Sequence, residues 1–215
     1  MADTQHSLVT YVSDMLALEE HISVPLGAQR ADEDFSKYPE AQQIVERVNA
    51  LCGTHVQALR SALDALGGHE AAAAKTVVAN IEGWFASALD MMRKTKVAKA
   101  LRDDYTALSL CAVSYSMLLT TANAFGDPRV AQLAQRHLQD YARAIMQIGE
   151  AMPAIVVEDL QQTGIDASTA QVEPSRRAIA SAWRSSAEAQ SNTISGTIES
   201  DAAANRRASP TYPTA

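Results

Sequence analysis

Aromatic side chains are scarce in this chain of 215 residues, at 5%, although 47% of the residues are hydrophobic. Much of that hydrophobic content is alanine, which favours helices, whereas strands favour aromatic and β-branched side chains. Small aliphatic side chains suit closely packed helices. The composition therefore predicts an all-α protein, and the length is sufficient to bury one substantial core.

Basic residues are also in deficit, with 18 Lys and Arg against 25 Asp and Glu and a formal net charge of −7. Nucleic acids and anionic membranes attract concentrated positive charge, so we expect neither as a partner. The sequence lacks an unbroken apolar run long enough to span a bilayer, and its first residues do not form a secretion signal. A cytoplasmic location is the resulting expectation.

Cysteine is rare as well, and both cysteines, Cys52 and Cys111, lie inside apolar helical patterns. In a reducing cytoplasm we expect them to be buried free thiols and not a disulfide. The sequence contains no phosphate-binding loop, nucleophile elbow, paired-cysteine motif or HExxH motif. These absences count against hydrolases and nucleotide-dependent enzymes.

The longest apolar-periodic segment without Gly or Pro covers residues 96–124. Steps of three and four residues predict a helix about 40 Å long with one inward stripe. The stripe carries a carboxylate, a thiol and a phenol among aliphatic side chains, and consists of Leu101, Asp104, Leu108, Cys111, Tyr115, Leu118 and Ala122. We expect this stripe to face other helices.

The same spacing predicts three further core helices, over residues 6–28, 40–66 and 128–149. We expect Pro25 to kink or end the first of them, because proline cannot donate to the helical ladder. Pro153 follows the last, and one further short helix is expected over residues 151–164. Residues 27–39 are polar and predict a loop with room for one helical turn.

Two segments lie outside these four helices. Residues 69–93 predict a helical connection across the bundle, in which Trp84, Phe85, Met91 and Met92 are candidates for the core or an oligomer interface. Residues 164–215 are rich in Ser, Thr, Ala, Gln and Asn, so burial there cannot offset the cost of ordering the chain. The sequence predicts a bundle over residues 1–163 and a largely disordered tail, with a weak helix near Trp183.

Two helical hairpins joined by one long crossover have the ferritin-like connectivity. The sequence resembles the bacterial YciE/YciF-type ferritin-like proteins, a stress-associated family related to di-iron bundles. The segments that carry the resemblance are LALEEHI (16–22), THVQALRSALDALG (54–67), SYSMLLTTANAFG (114–126) and LAQRHLQDYARAI (133–145). The resemblance implies a four-helix bundle with a long helical crossover between the second and third core helices.

The resemblance also implies a metal centre, with a Glu from each of two helices and a Glu-x-x-His motif from each of the other two. The candidate metal ligands are distributed over all four helices: Glu19 or Glu20, then Cys52 and His55, then Cys111, then His137. Cys52 and Ala134 stand where the two motifs need Glu. This set of candidate ligands therefore predicts a degenerate di-iron centre, which has too little negative charge to bind two irons.

Nearby acids do not replace the missing carboxylates in this interpretation. Asp104 lies about two turns from Cys111, and Asp140 lies on the flank of the last helix. Tyr115 matches the tyrosine of the family.

Three arrangements of Glu19, His55 and His137 stay open at this point. They could hold one iron, manganese or zinc ion, with Cys52 or Cys111 as a softer fourth ligand. They could instead form a buried network in which Glu19 pairs with the histidines and tyrosines satisfy the remaining polar groups. In the third arrangement they do not converge.

The function that the sequence favours is a non-catalytic or weakly metal-binding helical bundle. It would act by self-association or by docking a protein partner, and the resemblance adds a stress association. The alternative is a di-iron or mononuclear metal oxidoreductase or iron-storage protein, which the missing carboxylates oppose.

Overall fold

A computed structural model describes residues 2–68, 96–186 and 188, and every regular element in those ranges is helical. The prediction of an all-α protein is confirmed for this part of the chain. The elements are α1 (Ala2–Arg30), α2 (Glu33–Ser36), α3 (Pro39–Ala65), α4 (Val97–Phe125), α5 (Pro128–Gln162) and a 3-10 helix (Thr169–Gln171), followed by helical residues 172–186.

The boundary between α4 and α5 shows how the local sequence sets these ends. Gly126 ends α4 with φ +70°, a left-handed conformation that glycine adopts without the steric penalty of a side chain. Asp127 then accepts hydrogen bonds from the backbone amides of Arg129 and Val130, and Pro128 occupies the first turn of α5.

Pro25 lies inside α1 and does not end it, while a kink at Pro25 stays a prediction. The separate short helix predicted over residues 151–164 was wrong, because Pro153 lies inside α5, which continues to Gln162. The helices continue because side chains beyond each proline are buried. Leu26 is buried after Pro25, and Ile155 is buried after Pro153, so packing offsets the one backbone hydrogen bond that each proline removes.

The predicted turn within the loop after α1 is confirmed as α2. Asp32 accepts a hydrogen bond from the backbone amide of Asp34, and Phe35 is buried in the core.

Within the described ranges, four long helices pack around one hydrophobic core, α1 against α3 and α4, and α5 against α3 and α4. Every residue of the stripe predicted for α4 is buried. At one end of this arrangement, the Gln5 side chain donates to the carbonyl of Leu66, over 2.8 Å. At the other end, Gln29 donates to Asp104 over 2.9 Å.

Asp159 joins the end of α5 to the start of α4. Its carboxylate accepts a hydrogen bond from the Tyr38 hydroxyl, at 2.6 Å, and another from the backbone amide of Ala98, at 3.1 Å. The first amides of a helix have no partner within the helix, so Asp159 caps α4 from a distant point of the chain.

The predicted connection over residues 69–93 lies outside the described residues, as does the chain beyond residue 188. The protein divides into two units, Met1–Thr169 and Ala170–Ala215. In the second unit the helical stretch 172–186 includes Trp183, whose side chain is exposed. Disorder in the rest of the tail stays a prediction.

By length and mean hydropathy, α4 is long and apolar enough to cross a membrane. Core helices of soluble proteins meet the same criterion. In this structure α4 contributes Leu101, Leu108 and Leu118 to the core.

Candidate functional site

Each of the four long helices sends a polar side chain into one buried cluster. Glu19 comes from α1, His55 from α3, Tyr115 from α4, and His137 and Tyr141 from α5. The residue exposure of each is 6% or less. His137 and Tyr141 are four residues apart and so lie on the same face of α5. Buried polar groups need partners, and these residues supply them to one another.

The Glu19 carboxylate is the hub of the cluster. Its Oε1 atom accepts a hydrogen bond from the Tyr115 hydroxyl at 2.6 Å and lies 3.0 Å from Nδ1 of His55. Its Oε2 atom accepts a hydrogen bond from the Tyr141 hydroxyl. Both oxygens are therefore bound by protein donors.

His55 lies between two carboxylates. Its Nε2 atom is 3.2 Å from Oδ2 of Asp140, and Oδ1 of the same carboxylate accepts a hydrogen bond from Arg143. Partial burial alone would raise the pKa of Asp140, but the donors Arg143 and His55 outweigh it and lower that pKa. Each ring nitrogen of His55 therefore faces a carboxylate oxygen, and Arg143 holds Asp140 by its other oxygen.

His137 is neutral and completes the network. Because the single proton of Tyr115 is donated to Glu19, the tyrosine oxygen accepts from Nδ1 of His137, at 2.9 Å. The rings of His137 and His55 stack with their centroids 3.7 Å apart. Burial and the neighbouring charge of His55 lower the pKa of His137 to about 3.

The cysteines are buried free thiols, as predicted. Sγ of Cys52 lies 3.4 Å from the Tyr141 hydroxyl, and since that hydroxyl donates to Glu19, the thiol is the donor. Burial, together with the charge of Glu19, raises the pKa of Cys52 to about 12. Burial and Glu19 also raise the pKa of Cys111 well above its ordinary range. Both thiols are thus held in the protonated form.

Two other acids remain outside the cluster. Glu20 is half exposed and forms an ion pair with Arg60 at 2.6 Å, so α1 turns Glu19 and not Glu20 toward the core. Asp104 is buried, but its partner is Gln29.

One carboxylate and two imidazoles are close enough to hold a single cation. A carboxylate oxygen of Glu19 and ring nitrogens of His55 and His137 all lie within 4.8 Å of one another. This donor set suits one iron, manganese or zinc ion, whereas two irons need more anionic oxygens. Both ring nitrogens of His55 already contact carboxylate oxygens, so a cation would have to displace one of these contacts.

Sequence reasoning placed Asp140 on the flank of α5 and did not assign it a role. The structure shows that this flank faces α3, where Asp140 meets His55. A signal was present, because Arg143 follows three residues after Asp140 and can hold its carboxylate from the solvent side.

The lowered pKa of His137 predicts that the protein loses stability in weak acid. An unfolded histidine takes up a proton near its ordinary pKa of 6.5, but the folded one does so only near 3. Between these two pKa values the unfolded state binds a proton that the folded state does not bind. The contribution of His137 to the free energy of unfolding is therefore full above pH 6.5 and decreases as the pH falls below it. The expected fall is about 1.4 kcal/mol per pH unit.

We expect the free energy of unfolding in urea to fall more between pH 6 and pH 4.5 in the wild type than in His137→Asn, by roughly 2 kcal/mol. The asparagine amide can still donate to Tyr115 but does not titrate. Equal slopes in the two proteins would show that His137 is not held neutral.

These features define an all-helical protein with a buried cluster of Glu, His and Tyr side chains. No protein-family model matches the sequence, and no curated protein matches it. Among solved structures, the chain is similar to a protein from Xanthomonas campestris pv. campestris, with 21% identity and a TM-score of 0.61 over 76% of this chain and 99% of that one. At this identity the likeness shows the fold alone.

Proposed function

We propose that this chain is a ferritin-like four-helix bundle in which a closed hydrogen-bond network replaces the di-iron centre that the resemblance implies. It acts as a non-catalytic or weakly metal-binding helical protein that associates with itself. A cytoplasmic location and a stress association belong to the same proposal. They rest on the sequence patterns and on the resemblance.

The positions of the helix ends support the ferritin-like connectivity. The contact of Gln5 with Leu66 places the end of α3 beside the start of α1. The contact of Gln29 with Asp104 places the start of α4 beside the end of α1. These two points are therefore separated by the length of α1, about 40 Å at 1.5 Å per residue. A chain that joins α3 to α4 has to cover that distance, as a long crossover does.

The observation that carries the proposal is that protein groups already bind both oxygens of Glu19 and both ring nitrogens of His55. A di-iron site needs several carboxylates whose oxygens face the metals. Among the described residues of this cluster, only Glu19 is a fully buried acid, and Asp140 is partly exposed. The network satisfies its own charges without a cation.

A second candidate function is binding of one metal ion. The mutual distances of Glu19, His55 and His137 favour it. A cation there would supply Lewis-acid or redox chemistry, and these three residues would hold it. Binding would require the metal to displace a contact between His55 and Glu19 or Asp140.

Elemental analysis separates the candidates. We expect protein purified from metal-supplemented culture to carry well under one iron, manganese or zinc ion per chain, and its melting temperature to be unchanged by a chelator. One ion per chain that is lost in both Glu19→Gln and His137→Asn would establish the mononuclear site. Two irons per chain would contradict the proposal.

A variant of the site extends this test. His55→Ala should lower the melting temperature by the same amount with and without chelator, because the lost contacts are to protein groups. A loss that disappears on chelation would mean that a metal had stabilised the wild type.

A further inference from the structure

The outer face of α4 is unusually apolar for a helix in contact with solvent. Residues 105–126 contain no Asp, Glu, Lys or Arg. Three large apolar side chains lie along its exposed side: Leu110 is 40% exposed, Val113 61% and Met117 51%. Thr106 and Thr120 extend the same face by about one turn in each direction. We call this surface, from Thr106 to Thr120, the α4 face.

Single exposed apolar residues are normal on protein surfaces and need no explanation. The α4 face differs because its apolar residues recur at helical spacing and no charge interrupts them. Continuous apolar surface of this kind marks an interaction site.

We infer that the α4 face binds the α4 face of a second copy of this chain, with the two helices antiparallel about a two-fold axis near Val113. This inference rests on the self-association in the proposed function and names the surface that performs it. A two-fold interface places the same patch of each copy against itself.

Charge favours a second copy as the occupant. Each molecule carries a formal net charge of −7, so identical molecules repel one another over most of their surfaces. The α4 face has no charge to repel its own copy. Lys99 lies before it on the same side of α4, and Asp127 follows its far end. An axis at Val113 brings Lys99 to the level of Asp127 of the second copy, and these charges attract.

The dimensions of the face indicate a reversible dimer. The α4 face, from Thr106 to Thr120, extends about 22 Å along the helix axis. With a width of about 10 Å, it provides roughly 200 Å² per copy, less than the roughly 800 Å² per partner of a standard stable interface. We therefore expect association in the micromolar range and not a permanent dimer.

Analytical ultracentrifugation of the full chain tests this inference directly. Between about 1 and 200 µM, the wild type is expected to shift from monomer to dimer mass. Val113→Glu places a carboxylate beside its own copy at the axis and should weaken association at least tenfold. Val24→Glu is the matched control, because Val24 is a 58% exposed valine on α1, and it should dimerise like the wild type.

Two results would overturn the inference in distinguishable ways. A dimer that survives Val113→Glu shows that another surface is used, and leaves the proposed self-association intact. A wild type that is monomeric at every concentration refutes both. If that monomer sediments with phosphatidylcholine vesicles and Val113→Glu does not, the α4 face binds lipid.

Cross-linking tests the position of the axis. Val113→Cys should form an intermolecular disulfide under mild oxidation by copper phenanthroline in air, because the two substituted thiols meet at the axis. Thr120→Cys should not, since seven residues on each side of the axis separate the two thiols by about 21 Å. The native thiols are buried. Equal cross-linking at both positions would refute the antiparallel arrangement.

Discussion

Glu19→Gln should lower the free energy of unfolding at neutral pH by about 3–5 kcal/mol, because more than one buried hydrogen bond is lost at about 1–3 kcal/mol each. The Glu19 carboxylate accepts hydrogen bonds from Tyr115 and Tyr141 and lies 3.0 Å from Nδ1 of His55. The NH2 group of a glutamine cannot accept a hydrogen bond, so it would face a hydroxyl donor without pairing with it. Urea denaturation measures the loss.

The neighbouring residue provides the control for this prediction. Glu20 is also a glutamate on α1, but it is half exposed and paired only with Arg60. Glu20→Gln should therefore cost less than about 1 kcal/mol. Similar losses in the two variants would mean that the buried network does not stabilise the fold.

If Glu19→Gln does not fold, Tyr141→Phe measures the same network with a smaller perturbation. It removes the hydroxyl that donates to Glu19 and accepts from Cys52. The expected loss is about 1–3 kcal/mol, and no loss would contradict the proposed bonding.

Asp104→Asn should have the opposite effect and stabilise the protein at pH 8, by roughly 2–4 kcal/mol. Burial raises the pKa of Asp104 to about 7, against an ordinary value of 3.8. Among the described residues, Asp103 is the charged side chain that acts on it and raises the pKa further, while Gln29 lowers it. The contribution of Asp104 to stability is thus full below the ordinary value and is lost as the pH rises through about 7.

The hydrogen bonding between Gln29 and Asp104 also supports a gain of stability in Asp104→Asn. Gln29 donates to Oδ1 of Asp104, while Oδ2 of Asp104 and Oε1 of Gln29 have no hydrogen-bond partner in the described part of the chain. An asparagine in this position offers an NH2 group that can donate to Oε1 of Gln29, and it is neutral at every pH. The pair then satisfies both orphaned atoms.

Urea denaturation at pH 8 and at pH 4 tests this account of Asp104. The gain should be present at pH 8 and fall below about 1 kcal/mol at pH 4, where the buried aspartic acid is also neutral. Asp103→Asn is the control, because that carboxylate pairs with Arg102 near the surface. Its effect should stay within about 1 kcal/mol at both pH values, and a loss of stability in Asp104→Asn at pH 8 would contradict the assignment.

Asp104 and His137 act in opposite directions between about pH 4 and pH 6.5, because the folded state favours the neutral form of both. Their contributions partly cancel in the wild type. The pH dependence of each variant should therefore be easier to interpret than that of the wild type alone.

The helices could be predicted from the sequence because their signals depend only on neighbouring residues. These signals are the spacing of apolar residues, glycine at the end of a helix and proline in its first turn. The inward stripe of α4 is one such case. Neither Pro25 nor Pro153 ends its helix, because tertiary packing beyond each proline, which the sequence does not display, outweighs the local penalty.

The sequence predicts which residues join the cluster better than it predicts the hydrogen bonds between them. The spacing of α1 left open whether Glu19 or Glu20 turns inward, since a small rotation of a helix exchanges neighbouring positions. Asp140 was missed for a related reason: its role depends on the angle at which α5 meets α3. Such rotations are set by the packing of whole helices.

Imidazole nitrogen NMR measures the central claim most directly, because it reports the protons on each ring of the cluster. We expect both ring nitrogens of His55 to be hydrogen-bonded to carboxylates, and His137 to be neutral with its proton on Nδ1. A ring nitrogen of His55 without a hydrogen bond would contradict the closed network. A nitrogen of either ring bound to metal in the purified protein would contradict it equally.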